Sequence, residues 1–373
     1  MTAALYVHVP FCHSNCTYCD FYRVSYRDRS ADLFLEALRL ELATLPPDLK
    51  PRTIYVGGGT PSALRDDQLE TLLELLQPFR SREEEYTFEV NPKSATPAKI
   101  RMLKARGVSR VSFGAQTFNA RALVTMGRRH QPEDIGRVYT LLREEIPSVS
   151  FDLIFAHPAQ TLEEWDFDLT SALNLSPDHL SIYALTYEAG TPMTESVKRG
   201  ELARVSEDLE REMYLLAVSR LTSAGYEHYE VSSYSRPGHR SLHNQAYWNQ
   251  EDYVGVGPGA CSTLGGVRYT NVRDLDGYAR GLRDTGLPPR HEEHLSALDK
   301  LNELLLLRLR TKEGLSLSLF QRLAGEDLGE YSGGRVDPLI QQELLRVEGD
   351  FLQLTQEGLC LADRVISDLM VMA

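Results

Sequence analysis

Along the first two-thirds of the chain, short apolar runs alternate with longer segments whose apolar residues recur every three to four positions. The runs are Leu5 to Val9, Thr53 to Val56, Tyr86 to Val90, Val108 to Phe113, Val149 to Phe155 and His179 to Ala184. Their length and their β-branched and aromatic content predict strands. The segments Ala31 to Leu45, Asp66 to Phe79, Pro97 to Arg106, Pro132 to Glu145 and Leu162 to Leu175 predict helices. Ser30, Thr96 and Thr161 stand directly before three of these segments and predict side-chain caps on the first free N–H groups. Strand then helix, repeated about six times, is the pattern of a parallel sheet covered by helices. The pattern alone leaves a barrel and a doubly wound sheet both open.

Composition narrows the class. The 373 residues are 42% hydrophobic, enough to bury a large core, and the length suggests one large domain plus a smaller one. A formal charge of -13 argues against a nucleic-acid backbone as the main partner, which would favour a basic footprint. No apolar run is long enough to predict a membrane span. Met1-Thr-Ala-Ala-Leu5 is neither basic nor a cleavable signal, so a soluble cytoplasmic protein is expected.

Candidate chemistry begins just after the first apolar run. Cys12, Cys16 and Cys19 are spaced C-x-x-x-C-x-x-C, close enough to face one soft metal centre. Three thiolates are one short of the usual four. A zinc site completed by His8 or His13 is one reading, and a cluster with one open iron is another. A disulfide is the poorest reading, because Cys261 and Cys360 are distant and a cytosolic compartment keeps thiols reduced. Gly57-Gly-Gly-Thr60 follows the second predicted strand, Glu89 ends the third, Gln116 follows the fourth and Asp152 lies early in the fifth. Singly, a glycine run is an ordinary tight turn and each polar residue an ordinary cap or solvated group.

In this order, however, the cysteine triad with Tyr18 and Phe21 beside it, the Gly-Gly-Thr-Pro element and the polar residues at the strand ends resemble the radical S-adenosylmethionine (SAM) superfamily. Over essentially the whole chain the resemblance is to its oxygen-independent coproporphyrinogen III oxidase branch. It implies an α/β fold, an open (β/α)6 partial barrel with its cluster loop after the first strand and its chemistry at the carboxyl ends of the strands. It further implies a [4Fe-4S] cluster on Cys12, Cys16 and Cys19, with SAM chelating the open iron. Tyr6 and Phe21 would lie against the cofactor, and the backbone of Gly57, Gly58, Gly59 and Thr60 would approach its amino group. Glu89, Gln116, Arg128 and Asp152 would hold its amino-acid and ribose ends. A planar guanidinium at Arg128 suits a carboxylate, although by residues alone it is equally a surface arginine beside Arg129. The chemistry implied is one-electron cleavage of SAM to methionine and a 5'-deoxyadenosyl radical.

Within that branch, two departures resemble the oxidase-like relatives known as HemW, which act as heme chaperones. Position 21 is Phe21 where oxidases carry a further cysteine, and only eleven residues precede Cys12 where oxidases carry an extension. A third feature, His243-Asn-Gln-Ala-Tyr-Trp248, matches the H-N-x-x-Y-W motif associated with heme handling in that group. The resemblance implies His243 as an iron ligand with Tyr247 and Trp248 on the porphyrin face, although the string alone reads as a packed aromatic turn. Heme and heme-accepting apoproteins are then the implied partners, with a homodimer left open. Coproporphyrinogen oxidase activity is not expected. A coproporphyrinogen dehydrogenase and a radical SAM enzyme on another substrate remain the alternatives.

Other positions depart from the family pattern. Asp152-Leu-Ile-Phe-Ala-His-Pro-Ala-Gln160 carries His157 in place of an apolar residue and Ala159 in place of a glycine. Cys261 replaces a histidine and is a second candidate heme ligand, against the plainer reading of an inert thiol. The expected division is 1–236 for the radical SAM core and 237–373 for a smaller, mostly helical, winged-helix-like domain. In the latter, His243 to Gly266 is expected to pack as loops on the barrel mouth. Ser296 to Leu309 predicts a largely buried helix, Leu315 to Arg322 and Pro338 to Leu345 two more, Phe351 to Leu354 a strand and Thr355 to Met370 a closing helix. No basic helix marks this module as a DNA reader, so its expected role is structural.

Overall fold

A computed structural model describes residues 4–80 and 83–371; the start of the stretch Met1 to Leu5 therefore lies outside the described residues. Six strands run parallel in chain order: β1 Ala4–Val9, β2 Thr53–Gly58, β3 Glu85–Val90, β4 Arg110–Gln116, β5 Ser148–Phe155 and β6 His179–Ala184. Each pairs with the next. The helices α1 Asp28–Leu42, α2 Asp66–Leu76, α3 Pro97–Ala105, α4 Pro132–Glu145 and α5 Leu162–Leu175 connect them. Strands covered by helices read as nearly continuous apolar runs because both faces are shielded. Val7, Val56, Phe88, Val111, Phe113 and Phe151 are accordingly all fully buried.

The caps follow their local chemistry. Thr96 and Thr161 accept from the backbone N–H groups of Lys99 and Glu164, as their positions predict. Ser30 does not cap α1: the helix begins two residues earlier at Asp28, whose carboxylate suits the positive end of the helix dipole.

The sheet does not close on itself, and it continues well beyond six strands. A helix, α6 Glu207–Ser223, leads to β7 Glu227–Glu230 and β8 Ser233–Ser235, which extend the β6 edge with β8 antiparallel to β6. After the helix α7 Leu242–Trp248, the strand β9 Tyr253–Val256 lies parallel to β1 on the opposite edge. β10 Cys261–Leu264, β11 Val267–Asn271 and β12 Arg290–His294 follow antiparallel, with helix α8 Leu275–Thr285 before β12. The order is β12-β11-β10-β9-β1-β2-β3-β4-β5-β6-β8-β7. Residues 243–266 are thus a helix and two strands rather than the expected loops, because their backbone completes the β1 edge. The sheet also runs through the expected division at residue 236.

Beyond residue 295 the fold changes character. Helix α9 Ala297–Leu309 leads into a small sheet of β13 Leu315–Ser316, β14 Leu345–Glu348 and β15 Phe351–Leu354, with β15 central. Helices Leu317–Ala324, Leu328–Tyr331 and Val336–Gln341 precede the β14–β15 hairpin, and the closing segment splits into Gln356–Cys360 and Ala362–Leu369. In α9 only Leu304, Leu305 and Leu309 are buried among its leucines. Leu298, Leu301, Leu306 and Leu307 are half-buried, and Leu301 and Leu306 pack against the core. Among the described residues no helix is long and apolar enough to cross a membrane.

Candidate functional site

The site is built at the carboxyl ends of β1 to β5, where loops can present side chains without breaking the sheet. β1 delivers the chain directly into the cysteine loop, and two short strands, Phe11–Cys12 and Val24–Ser25, pair in parallel to tie its ends together. All five cysteines are free. Cys12 Sγ lies 3.6 Å from the Thr60 hydroxyl, and Cys16 Sγ accepts from Arg128 Nη1 at 3.4 Å. Arg23 holds the loop from outside by donating to the Cys19 carbonyl at 2.5 Å. Burial pushes the Cys12 thiol up to about 11 and the Cys19 thiol upward as well, and a cation beside them would favour their thiolates.

Among the described residues no three His, Cys, Asp or Glu side chains converge on a single ion. A cubane cluster does not require that, because each thiolate binds a different iron. Half-buried free thiols on one loop, with a guanidinium at one of them, suit an anionic cluster. The two histidines weighed as zinc ligands point elsewhere. His8 lies 3.0 Å from the Tyr6 hydroxyl through Nδ1 and 3.0 Å from the Tyr22 carbonyl through Nε2, and exposed His13 packs edge-on against Tyr26.

Next to the cysteine loop, Glu89 at the end of β3 accepts from the Tyr55 hydroxyl at 2.7 Å and from the Gly58 N–H at 3.2 Å. Withdrawal from bulk water, with Asp152 nearby, pushes its carboxyl up to about 7. A Cβ on Gly57 would fall 2.6 Å from the Glu89 carboxyl, and Gly58 takes a φ of +104° against the His8 ring. These two positions therefore need glycine, because Glu89, Tyr55 and His8 pack closely over them in a narrow cradle at the strand end. Arg128 also donates to the Gly114 carbonyl at 2.7 Å, and Gln116 sits beside it with a left-handed φ of 69°. Strain of that kind in a non-glycine residue is held only where surroundings force it. Asp152 lies deeper, accepting from the Ser112 hydroxyl at 2.8 Å, and burial raises its pKa.

One cavity of about 480 Å³ opens beside this cradle. Tyr6, Phe21, Gly58 and Glu89 form its barrel side; Tyr247 of α7, Tyr253 and Cys261 of the extended sheet and Arg273 just after β11 form the other. Glu303 and Leu307 bring the open face of α9 to it. Phe21 is 65% exposed, an unusual state for a phenylalanine and one explained by its place at the cavity rim. Arg128, Gln116 and Asp152 lie outside these walls, as do Gly57, Gly59 and Thr60.

The motif at 243–248 is split by the fold. His243 is 1% exposed, with Nδ1 2.8 Å from the Thr53 hydroxyl and Nε2 2.8 Å from the Tyr247 hydroxyl. Glu85 accepts from the Leu242 and His243 N–H groups at 3.0 Å each, fastening the start of α7 to the start of β3. Burial drives the imidazole down to about 3, so it is neutral. Tyr247 faces the cavity, whereas Trp248 lies outside its walls with Nε1 buried and unpartnered. The Cys261 thiol accepts from Tyr253 at 3.6 Å and lines the cavity.

Tyr55 was not singled out as a site residue by the sequence, and Tyr18 was read only as part of the cysteine signature. Tyr55 links Glu89 to the His243 ring, 5.0 Å away, and its signal was a polar residue on the Thr53–Tyr55–Gly57 face of an otherwise apolar strand. Tyr18 packs against Met126, Ile154, Leu185 and Met193 beneath the cysteine loop.

The Radical SAM superfamily matches residues 6–170, and the HemN C-terminal domain matches residues 295–361. The chain is 33% identical to the heme chaperone HemW of Bacillus subtilis (strain 168), over 96% of this chain and 97% of that protein. It is 36% identical to the heme chaperone HemW of Mycobacterium tuberculosis (strain CDC 1551 / Oshkosh), over 98% and 94%. Coproporphyrinogen III oxidase (HemN) from Escherichia coli, a radical SAM enzyme, superposes with a TM-score of 0.86 at 24% identity, covering 99% of this chain and 90% of that one, a likeness of fold.

Proposed function

The chain belongs to the HemW family of radical SAM proteins, and on that premise we propose that it is a heme chaperone, binding heme and passing it to apoproteins that need it. The observation that carries this reading is the shared cavity: one space of about 480 Å³ joins the cradle at the strand ends to Tyr247, Tyr253 and Cys261. Its size and mixed aromatic and charged lining suit a flat aromatic cargo. Arg273 is positioned for a propionate, and the aromatic rings for the macrocycle.

In this reading Cys12, Cys16 and Cys19 hold a [4Fe-4S] cluster, and SAM takes its open iron. Together they supply one-electron chemistry at the barrel mouth. Arg128 offsets the charge of the cluster through its contact with Cys16. Gly57 to Gly59 let the SAM amino end approach the backbone, with Glu89 as its counter-charge, while Tyr6 and Phe21 pack on the cofactor. Thr60 orients the thiolate of Cys12, and Gln116 and Asp152 hold the deeper, ribose end. The HemN-like module at 295–361 closes the cavity through α9.

The test is an anaerobic heme titration of the cluster-reconstituted protein, followed by mixing with an apocytochrome. Saturable binding near one heme per chain and transfer of the heme absorbance to the acceptor are expected. Conversion of coproporphyrinogen to protoporphyrinogen without heme transfer would instead establish the oxidase.

A further inference from the structure

Resting on the heme-chaperone reading, we infer that Tyr247, not His243, is the side chain this protein offers to heme iron, and that His243 serves as its hydrogen-bonded support. His243 has no free face. Its two nitrogens are engaged by Thr53 and Tyr247, and its ring packs on Tyr55. Its backbone is fastened to Glu85, so the imidazole reaches the cavity only if α7 comes away from the barrel floor. Tyr247 lies one turn further on the same helix face, and it already borders the cavity beside Tyr253, 4.7 Å between ring centroids. Phenolate is an established class of axial ligand for ferric heme.

The proton accounting is closed by the same three residues. Both contacts are 2.8 Å, and in the tautomer this step requires, with the imidazole proton on Nδ1, the Tyr247 hydroxyl donates to His243 Nε2 and Nδ1–H donates to the Thr53 oxygen. When the phenol oxygen bonds to ferric iron, its proton passes to Nε2. The Nδ1 proton is the one given up, and the Thr53 hydroxyl then donates to Nδ1. The imidazole then donates to the phenolate and stays neutral, as its burial demands. The iron remains ferric throughout, and one proton is released for each iron–oxygen bond formed. Tyr6 makes a similar pair with His8, 3.0 Å away, but it lies beside Glu89 and Gly58, where SAM is placed.

Ferric heme titrated into the full-length, cluster-reconstituted protein tests the assignment. Resonance Raman excitation of the wild-type complex is expected to show tyrosinate ring modes, with a high-spin ferric electron paramagnetic resonance signal. Tyr247→Phe is expected to abolish those modes and weaken binding by about tenfold or more. His243→Gln is expected to keep them, because an amide still donates to the phenolate. Wild-type complexes without tyrosinate modes overturn the assignment, as does a spectrum unchanged in Tyr247→Phe but lost in His243→Gln or Cys261→Ser. A wild-type protein that binds no heme overturns the chaperone reading itself, which keeps the two failures apart.

Discussion

The cysteine loop at the barrel mouth and helix α7 at the floor both carry metal-binding residue types, yet the fold treats them oppositely. At the mouth, three free thiols sit half-buried on a loop beyond a strand end, steadied by Arg23, Thr60 and Arg128. At the floor, His243 is a core residue whose hydrogen bonds are all made inside the protein. A donor is available to a ligand only if the fold leaves its lone pair without a better partner, and that depends on which end of the strands it occupies. The cysteine loop and the cavity-facing Tyr247 are therefore where substitutions change chemistry, and the buried His243 face of α7 is where they change stability.

Four measurements sharpen or break that contrast. The largest effect is expected for Cys12→Ala, Cys16→Ala or Cys19→Ala. Each removes essentially all cluster iron and sulfide after reconstitution, while costing the cluster-free protein less than about 1 kcal/mol. Loss of fold in these variants, seen by circular dichroism, would put the loop in the core after all.

His243→Ala is expected to do the reverse, lowering stability in urea by about 3 kcal/mol, because it opens a cavity and strands Thr53 and Tyr247 without their partner. A loss below about 1 kcal/mol would mean that the motif is not a floor element.

A pH effect follows from a third buried site. Glu41 accepts from the Gly257 N–H at 2.7 Å, from Asn271 Nδ2 at 2.7 Å and from the Tyr278 hydroxyl, joining α1 to the extended sheet and α8. Burial raises its carboxyl from 4.5 to about 7. A raised acid pKa contributes stability that is complete below the unfolded value and is lost as pH rises through the folded one. Stability should fall between about pH 4.5 and 7 by on the order of 3 kcal/mol from this group, and Glu41→Gln should flatten that slope. An unchanged slope in urea titrations across that range would contradict the assignment.

The smallest effect is expected after β5. Ala156 and Ala159 both adopt left-handed backbone, with φ of 60° and 58°. Ala156→Gly or Ala159→Gly should each raise stability by about 0.5–1 kcal/mol, measurable as a higher midpoint of denaturation. A lower midpoint would show that the loop carries no strain. The sequence pointed to Ala159 as a replaced glycine, and the backbone shows the consequence directly. His157, in the same loop, is buried with Nε2 unpartnered.

Much of the barrel was legible because local rules and burial agree there. β1 to β6 and their helices appear within a few residues of the apolar periodicity, and Thr96 and Thr161 cap as their side chains dictate. The illegible part was 243–266. Its strand β9 pairs with β1 from far along the chain, and nothing local in a glycine-rich aromatic stretch predicts that pairing. Tyr55 was missed for a related reason, since its role is defined by Glu89 and His243 on other elements.

The order of residues by itself determined the parallel strand–helix repeat, the cysteine spacing and the glycines at the end of β2, because each follows from periodicity or from chemistry within a few positions. Tertiary structure alone decided which donors face the cavity. It buried His243 against Thr53, turned Tyr247 and Cys261 into the walls, and brought Arg128 to Cys16 across more than a hundred residues. The physical reason is that availability for binding depends on competing hydrogen bonds and on burial, and both are set by neighbours that are distant in the chain.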